Sequence, residues 1–406
     1  FCVRGIVLGR QGLGVRFSQC MAVSLVLNEV SDLCIGKPPL RSLPLSAATV
    51  SDALLALKRG GEPHLAVLDP DRAPPGKKAV AVAGKICVAD ILCFLCSDDN
   101  LASPAAALER PVTALLPKGA CLVRLVEPQF SVLEALDLIV DGAQNLVIPI
   151  RSLGRKKLDQ GGDGVATAAK FCWLTHEDFV RYFLNSIALF CPIPTLSIDD
   201  LGLVQSADAL TIRHDEPGLS LLPLVRRALT EQAAVAVVTD DGQLLGDISP
   251  CALSAGYNTV AVAAGIATLK AGDLMAFIDH YGSPPESLVR AIKAGLKEKG
   301  LQEMLHLMED ELSSFSNSSS SSSDDESSEE EKRLRRPSKS FSSTGRRSSE
   351  PEVCHPGSSL VAVMVQALVH RVSYLWVVDE EDYGLIGIVT FADMLCVFRE
   401  QLQPSL

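Results

Sequence analysis

The feature that most restricts the fold of this 406-residue chain is an internal repeat that occurs four times. Each copy reads as an amphipathic helix, a short apolar strand, a turn, and a second strand that leads into a closing helix. In the fourth copy, Ser358 or Ser359 precedes the helix, residues 374–379 form the first strand, and the second strand ends at Thr390. A single unit would leave one apolar sheet face open. We therefore expect two pairs, the first copy with the second and the third with the fourth.

The other three copies follow the same order. A capping box of Ser131 and Glu134 opens the helix of the second copy. The first strands of the first three copies cover 64–69, 145–150 and 234–239, and their second strands lead to Cys87, Thr175 and Ser249. The pattern predicts an α/β (α+β) fold in which each repeat has the order β-α-β-β-α.

These observations divide the chain into seven segments. They are a leader (1–29), repeat 1 (30–105), repeat 2 (106–192, with a loop insertion at 151–168), repeat 3 (193–283), connecting helices (284–312), a serine-rich insertion (313–356) and repeat 4 (357–406).

Composition excludes several classes of protein. The net charge is −12, and a general nucleic-acid-binding protein needs clustered Lys and Arg, so we expect no nucleic-acid partner. The cysteines lie scattered in apolar stretches, which favours reduced thiols over a disulfide framework. Residues 248–269 carry no charge, but their Ser, Gly, Pro and Thr content indicates a buried helix and loop rather than a membrane span. We expect a soluble protein.

The first twenty residues contain Arg4, Arg10 and Arg16, and the first acidic residue is Glu29. This composition suits an organelle-targeting segment, which would place the protein in a plastid or mitochondrion. The favoured alternative is an untranslated leader with a start at Met21, and then the protein is expected in the cytoplasm, the nucleus or both.

The insertion at 313–356 has almost no large apolar residues, so the sequence predicts disorder there. Its serines precede acidic residues or follow arginines at spacings that protein kinases prefer, although a plain solvated linker is the alternative. The candidate phosphorylation sites are Ser321, Ser322, Ser323, Ser327, Ser328, Ser338 and Ser349.

A hydroxyl, two residues and a carboxylate recur where the second strand meets the closing helix. The motif is complete as Thr390 with Asp393 and as Thr175 with Asp178. A helix N-terminus favours anions such as phosphate, and an acidic residue nearby suits the hydroxyls of a ribose. The alternative is that both side chains simply cap the helix.

The repeat, above all the run 387–393, resembles the cystathionine-β-synthase (CBS) domain, which pairs into Bateman modules. The four-copy plan is similar to plant CBS domain-containing proteins and to the gamma regulatory subunit of AMP-activated protein kinase. The resemblance implies adenosine-nucleotide binding in clefts between paired repeats, with the Asp on the ribose and nearby His and Arg on phosphates. His370 and Arg371 are the matching pair in repeat 4, unless they form an ordinary solvated helix end.

The other motif positions depart from this pattern. Cys87 replaces the hydroxyl in repeat 1 and Ala252 replaces the carboxylate in repeat 3, so Asp90 and Ser249 are weaker candidates. Repeat 2 has Gln144 and Asn145 in place of the basic pair. We expect one full site per pair at most, and the site of repeat 4 is favoured.

No catalytic residue, metal site or required cofactor is predicted. Cys93 and Cys96 lack the second ligand pair of a zinc site, and the run 175–178 lacks a nucleophile motif. We expect a non-enzymatic protein that binds AMP, ADP, ATP or S-adenosylmethionine and modulates a protein partner, and homodimerisation stays open. The alternative is a nucleotide-independent scaffold or a gamma-like subunit of a kinase complex.

Overall fold

The computed structural model describes residues 24–60, 63–69, 81–116, 122–150, 170–206, 210–254, 258–280, 284–318 and 350–402. The strands are β1 (Ser42–Pro44), β2 (Leu65–Asp69), β3 (Ala81–Ile86), β4 (Val123–Leu125), β5 (Asn145–Ile150), β6 (Lys170–Thr175), β7 (Thr211–Arg213), β8 (Val235–Val238), β9 (Leu244–Ile248), β10 (Val353–Cys354), β11 (Tyr374–Val378) and β12 (Leu385–Thr390).

The α-helices are α1 (Val30–Leu33), α2 (Val50–Gly60), α3 (Val88–Leu95), α4 (Asp98–Leu101), α5 (Pro104–Leu108), α6 (Val132–Val140), α7 (His176–Asn185), α8 (Leu221–Glu231), α9 (Pro250–Ser254), α10 (Thr259–Thr268), α11 (Ala271–Asp279), α12 (Glu286–Glu298), α13 (Gln302–Ser318), α14 (Leu360–His370) and α15 (Phe391–Gln401).

The described strands form four three-stranded sheets, one for each repeat. In each sheet the first strand runs parallel to the second, and the third strand returns antiparallel to the second. A parallel pair needs a crossover connection, which α2, α6, α8 and α14 supply. The predicted order β-α-β-β-α is confirmed.

Helix α14 shows how the sequence fixes these elements. Its buried residues Leu360, Val363, Met364 and Ala367 lie on one face at helical spacing. The Ser359 hydroxyl accepts a hydrogen bond from the amide of Ala362 at the N-terminus, and Arg371 ends the helix in the left-handed conformation with φ 58°.

The sheets meet within the predicted pairs. Val123, Val147 and Phe171 of repeat 2 pack with Val82 of repeat 1. In the second pair, Gln243 of β8–β9 forms an isolated bridge with Gly384 beside β12. The arrangement as two pairs of repeats is therefore confirmed, as the sequence predicted.

Helices join one pair to the other. Helix α3 of repeat 1 contacts α8 of repeat 3, and α15 of repeat 4 contacts α6 and α7 of repeat 2. The Phe183 and Phe398 rings stack with centroids 4.9 Å apart, and Phe190 meets both edge-on. One core consequently combines repeats 1 and 3, and a second combines repeats 2 and 4.

The predicted repeat boundaries differ from the structure at two equivalent places. Residues 24–41, which we call the first strap, pack on repeat 2: Val26 is buried and the Val30 amide donates to the Phe130 carbonyl at 2.8 Å. Residues 193–206, the second strap, pack in the same way on repeat 4, where the Ile198 amide donates to the Ser358 carbonyl at 2.9 Å. Each strap therefore covers the second repeat of its pair.

The segment between repeats 3 and 4 also differs. Helix α13 continues to Ser318, and β10 pairs with β11 at Val353–Cys354, so both ends of the predicted disordered segment 313–356 are ordered. The candidate phosphorylation serines, the predicted loop 151–168 and most of the leader lie outside the described residues.

Helix α10 lies within residues 248–269, the apolar stretch for which the sequence predicts a buried helix and loop. All its residues from Thr259 to Ala267 are buried, and it packs against α3, α11, α12 and α13. Among the described helices, none combines the length and the apolar character that crossing a membrane requires.

Candidate functional site

The motif residues of repeats 2 and 4 cap their closing helices. Asp393 Oδ2 accepts hydrogen bonds from the Thr390 amide at 2.8 Å and from the Thr390 hydroxyl at 2.7 Å. Asp178 Oδ2 accepts the same two bonds from Thr175 at 2.7 and 2.8 Å. The capping alternative thus describes how Thr390 and Thr175 are used, and each Asp is held rigidly at the end of a sheet.

The equivalent positions of repeats 1 and 3 keep only part of the Thr–Asp cap among the described residues. The Cys87 amide donates to Asp90 Oδ2 at 2.8 Å, and the Ser249 hydroxyl accepts from the Ala252 amide at 3.0 Å. Burial raises the pKa of the Asp90 and Asp393 carboxyls above the ordinary value. At both carboxyls the effect of burial outweighs that of the hydrogen bonds from the cap.

Each strap brings one side chain to the motif Asp of the repeat that it covers. Glu29 forms an isolated β-bridge with Ser131, and Ser197 forms the equivalent bridge with Ser359. Lys37 in the first strap and Gln205 in the second follow these bridge residues at the same interval in the sequence. Lys37 Nζ lies 2.7 Å from Asp178 Oδ2, whereas Gln205 Nε2 lies 3.4 Å from Asp393 Oδ1.

These two contacts differ in strength. An ammonium at 2.7 Å is a charge-assisted pair, while an amide at 3.4 Å lies beyond the usual range of 2.7–3.2 Å. Asp178 therefore has its cation within the chain. Among the residues that the structure describes, Asp393 Oδ1 is approached by a weak donor alone, the amide of Gln205.

In the structure, His370 of the predicted basic pair has a partner other than Asp393. His370 Nδ1 lies 2.6 Å from Glu352 Oε1, and Glu352 immediately precedes β10. Because β10 and β12 are opposite edges of the sheet, this contact holds the imidazole toward the β10 edge, whereas Thr390 ends β12. Arg371 is exposed at the left-handed end of α14.

Two polar contacts across the paired sheets were missed from the sequence. Lys85 Nζ of repeat 1 donates to Asn145 Oδ1 of repeat 2. Asp247 Oδ2 of repeat 3 accepts from the Tyr374 hydroxyl at 2.7 Å and from Trp376 Nε1 at 2.9 Å. Both Lys85 and Asp247 stand two residues before the motif position, so aligning the repeats would have revealed a polar residue inside an apolar strand.

A buried network connects repeats 2, 3 and 4 nearby. His176 Nε2 donates to the Ala143 carbonyl at 3.1 Å, and Gln232 Nε2 donates to His176 Nδ1 at 3.0 Å. The Gln232 carbonyl accepts from the Ser373 hydroxyl at 2.6 Å. Burial lowers the pKa of His176 to about 4, so the ring is neutral at pH 7 and serves as a structural linker between repeats.

Two further groups of potential metal ligands have contacts that give them a structural role. Cys96 Sγ lies in hydrogen-bond contact with the Ala263 carbonyl at 3.5 Å, and burial raises the pKa of Cys93 to about 12, which disfavours a thiolate metal ligand. His214, Asp215 and Asp240 cluster at the surface, but Arg213 pairs with both carboxylates.

A groove of about 270 Å³ lies between α7 and α14. Its lining residues are Arg181, Leu184, Asn185, Val365, Leu368 and Val369. These side chains belong to the middle and ends of the helices, beyond the strand ends that carry the motif. The groove is therefore distinct from the positions of Asp178 and Asp393.

Comparison with known proteins identifies relatives over nearly the whole length. The CBS domain family model matches residues 347–400, which include most of repeat 4. The chain is 42% identical to CBS domain-containing protein CBSX5 of Arabidopsis thaliana, over 95% of this chain and all of the relative. It is 21% identical to the SNF1-related protein kinase regulatory subunit gamma-like PV42b of the same plant, over 92% of this chain and 95% of the relative.

The fold also has a counterpart among crystal structures. Protein MJ1225 of Methanocaldococcus jannaschii aligns over 91% of this chain and all of its own, with a TM-score of 0.52 and 16% sequence identity. At this identity the likeness concerns the fold alone.

Proposed function

Because the chain belongs to the family of CBS domain-containing proteins, we propose that it binds an adenosine nucleotide between repeats 3 and 4 and thereby modulates a protein partner. Catalysis is no part of this proposal. The observation that carries it is the state of Asp393, which is fixed by its cap while its Oδ1 atom has, within the described part of the chain, only the distant amide of Gln205.

A ribose hydroxyl is a suitable ligand for that oxygen. A carboxylate accepts hydrogen bonds from both vicinal hydroxyls of a ribose, and such bonds to a charged acceptor are the stronger kind. Displacing Gln205 costs little because its contact is long. The adjacent N-terminus of α15 offers a positive dipole end to a phosphate, and Arg371 remains the candidate cation of repeat 4.

Binding would regulate through the pairs themselves. A nucleotide between repeats 3 and 4 contacts the second strap and β12 together, so it would favour the arrangement in which both are docked. A partner that recognises this arrangement would bind more tightly to the loaded protein.

The test is isothermal titration calorimetry with AMP, ADP, ATP and S-adenosylmethionine. We expect Asp393→Ala to weaken binding roughly 10- to 100-fold, the effect of losing hydrogen bonds to a charged group. Glu134→Ala is the matched control, because it removes the carboxylate of the capping box of α6 in repeat 2, outside the proposed site. An unchanged affinity in Asp393→Ala, or no heat with any ligand in folded wild-type protein, would contradict the proposal.

A reciprocal substitution tests the role of the strap. Gln205→Lys places at Asp393 the same group that Lys37 places at Asp178, so it should neutralise the carboxylate and reduce binding. This variant leaves Asp393 and its cap in place. A reduced affinity would therefore be caused by occupation of the carboxylate and not by loss of the helix cap.

The second candidate function is a nucleotide-independent interaction scaffold or gamma-like kinase subunit. Two observations favour it: Lys37 already pairs with Asp178, and Ala252 removes the carboxylate of repeat 3. Co-purification with a kinase catalytic subunit that AMP and ATP leave unchanged would support this function over the first.

A further inference from the structure

Two cysteines from distant parts of the chain meet where the first strap crosses repeat 2. Cys34 follows α1 in the strap, and Cys172 lies on β6 with no exposed surface. Cys34 packs against the core that contains Cys172, and the two thiols are close enough for each to shift the pKa of the other. Both are free thiols, and Cys34 is partly exposed.

The backbone around this contact is fixed on both sides. Before Cys34, the Ser31 amide donates to the Pro128 carbonyl at 3.1 Å. After it, Lys37 pairs with Asp178, and the Leu40 amide donates to the carbonyl of Phe171, the neighbour of Cys172, at 2.7 Å. The strap therefore holds the two sulfurs together without freedom to slide along β6.

The local charges favour reaction at this pair. The ammonium of Lys37 lies close enough to lower the pKa of both thiols. The proximity of the two thiols is the largest influence: it lowers the pKa of Cys172 and raises that of Cys34, so the anionic form is favoured on Cys172. At Cys354, by contrast, burial is the cause that acts, and it raises the pKa to about 12.

We propose that Cys34 and Cys172 form a reversible disulfide that fastens the first strap to repeat 2. The oxidant is a peroxide. One sulfur takes an oxygen atom from it to become a sulfenic acid and releases one water, and the other sulfur displaces the second water as the S–S bond forms. The two thiols lose two hydrogen atoms and the peroxide is reduced to two waters. A dithiol reductant reverses the reaction.

This modification site is independent of nucleotide binding. It lies in the first pair, whereas the proposed nucleotide contact is in the second pair. Failure of one proposal therefore leaves the other untouched.

The test is peptide mapping of the full-length protein after treatment with hydrogen peroxide. Digestion with trypsin and a glutamate-specific protease places Cys34 in peptide 30–41, because Pro38 blocks cleavage after Lys37, and Cys172 in peptide 171–177, each without another cysteine. We expect a linked product with the mass of both peptides minus two hydrogen atoms, which disappears after dithiothreitol. Cys191→Ser is the control, because it removes an exposed thiol and should leave the product unchanged.

Variants at the pair decide the result. Cys34→Ser and Cys172→Ala should each abolish the linked peptide, and Cys34→Ser at the partly exposed position suffices if the buried variant does not fold. Lys37→Met should slow cross-linking severalfold because the thiolate loses its cation. Recovery of both peptides as free thiols, under conditions that oxidise Cys191, would overturn the proposal.

Discussion

Lys85 of repeat 1 donates a hydrogen bond to the side chain of Asn145 across the boundary between the first two sheets. Asp247 occupies the same position in repeat 3 and binds Tyr374 and Trp376 across the other boundary. The two pairs thus use opposite charges at equivalent positions, each satisfied by a polar side chain of the second repeat. A buried polar group without such a partner would destabilise its pair.

Lys85 should make the free energy of unfolding depend on pH in the alkaline range. Burial lowers its pKa to about 8, from 10.5 in the unfolded chain, so between these values the unfolded state binds more protons than the folded state. The free energy of unfolding should therefore rise from pH 8 to pH 10.5 in the wild type relative to Lys85→Met. Urea denaturation across this range measures the difference, and a constant difference would show that the ammonium remains solvated.

Repeat 4 should require glycine at position 387, three residues before the motif residue Thr390. A Cβ atom on Gly387 would collide with the Gln205 carbonyl and approach Val204 Cγ1 to 2.7 Å, and backbone cannot move aside easily. Gly387→Ala should destabilise the protein by about 1–3 kcal/mol and release the second strap. The measurement is thermal unfolding combined with hydrogen exchange of residues 204–205.

Gly246→Ala provides the matched control for that substitution. Gly246 is the equivalent glycine of repeat 3, but its Cβ would meet the flexible side chain of Met275, which can adopt another rotamer. The cost should be smaller than at Gly387. Equal costs at both positions would contradict a specific role of the strap backbone.

Glu311 should be the main anchor of the helices between repeats 3 and 4. Its Oε2 atom accepts from the amides of Val260 and Ala261 at 2.9 and 3.0 Å, and its Oε1 atom pairs with Lys58 at 2.9 Å. It therefore caps α10 from a distant helix and neutralises a half-buried lysine of repeat 1.

Replacing Glu311 with Ala should cost roughly 1–2 kcal/mol, the effect of losing a charged cap. Glu309→Ala, on the same helix, removes only an exposed pair with Lys293 and should change stability little. Chemical denaturation of both variants measures the contrast. Similar losses in the two would show that helix propensity, and not the cap, is responsible.

The parts of this molecule that the sequence predicted are local. The strands, the helices and the capping box of Ser131 with Glu134 depend on residues a few positions apart, and each is confirmed. The pairing of repeats was also predicted, because an open apolar sheet face needs a partner.

The parts that were missed are contacts between distant segments. Lys37 and Asp178 are 141 residues apart in sequence, and Gln205 and Asp393 are 188 apart. Neither strap has a sequence pattern that points to the second repeat of its pair. The ion pair of His370 with Glu352 was missed because β10 lies in a segment whose composition predicted disorder.

Lys37→Gln should convert repeat 2 into a site of the kind proposed for repeat 4. The substitution removes the ammonium from Asp178 and leaves an amide, as Gln205 does at Asp393. We expect the nucleotide stoichiometry in calorimetry to rise in Lys37→Gln, and the double variant with Asp178→Ala to return to the wild-type value. An unchanged stoichiometry would show that the sequence of repeat 2 prevents binding for another reason, such as the absence of its basic pair.

His176 should make the protein sensitive to mild acid. Its folded-state pKa of about 4 lies below the unfolded value of 6.5, so the unfolded chain is protonated first as the pH falls. Its contribution to stability is fully present above pH 6.5 and is lost between pH 6.5 and pH 4, by up to about 3 kcal/mol. His176→Gln should lack this component of the pH dependence, whereas the exposed His280→Gln should keep it. Urea unfolding at several pH values in this window provides the measurement, and parallel curves for wild type and His176→Gln would refute the assignment of His176 as a buried neutral linker between repeats 2 and 3.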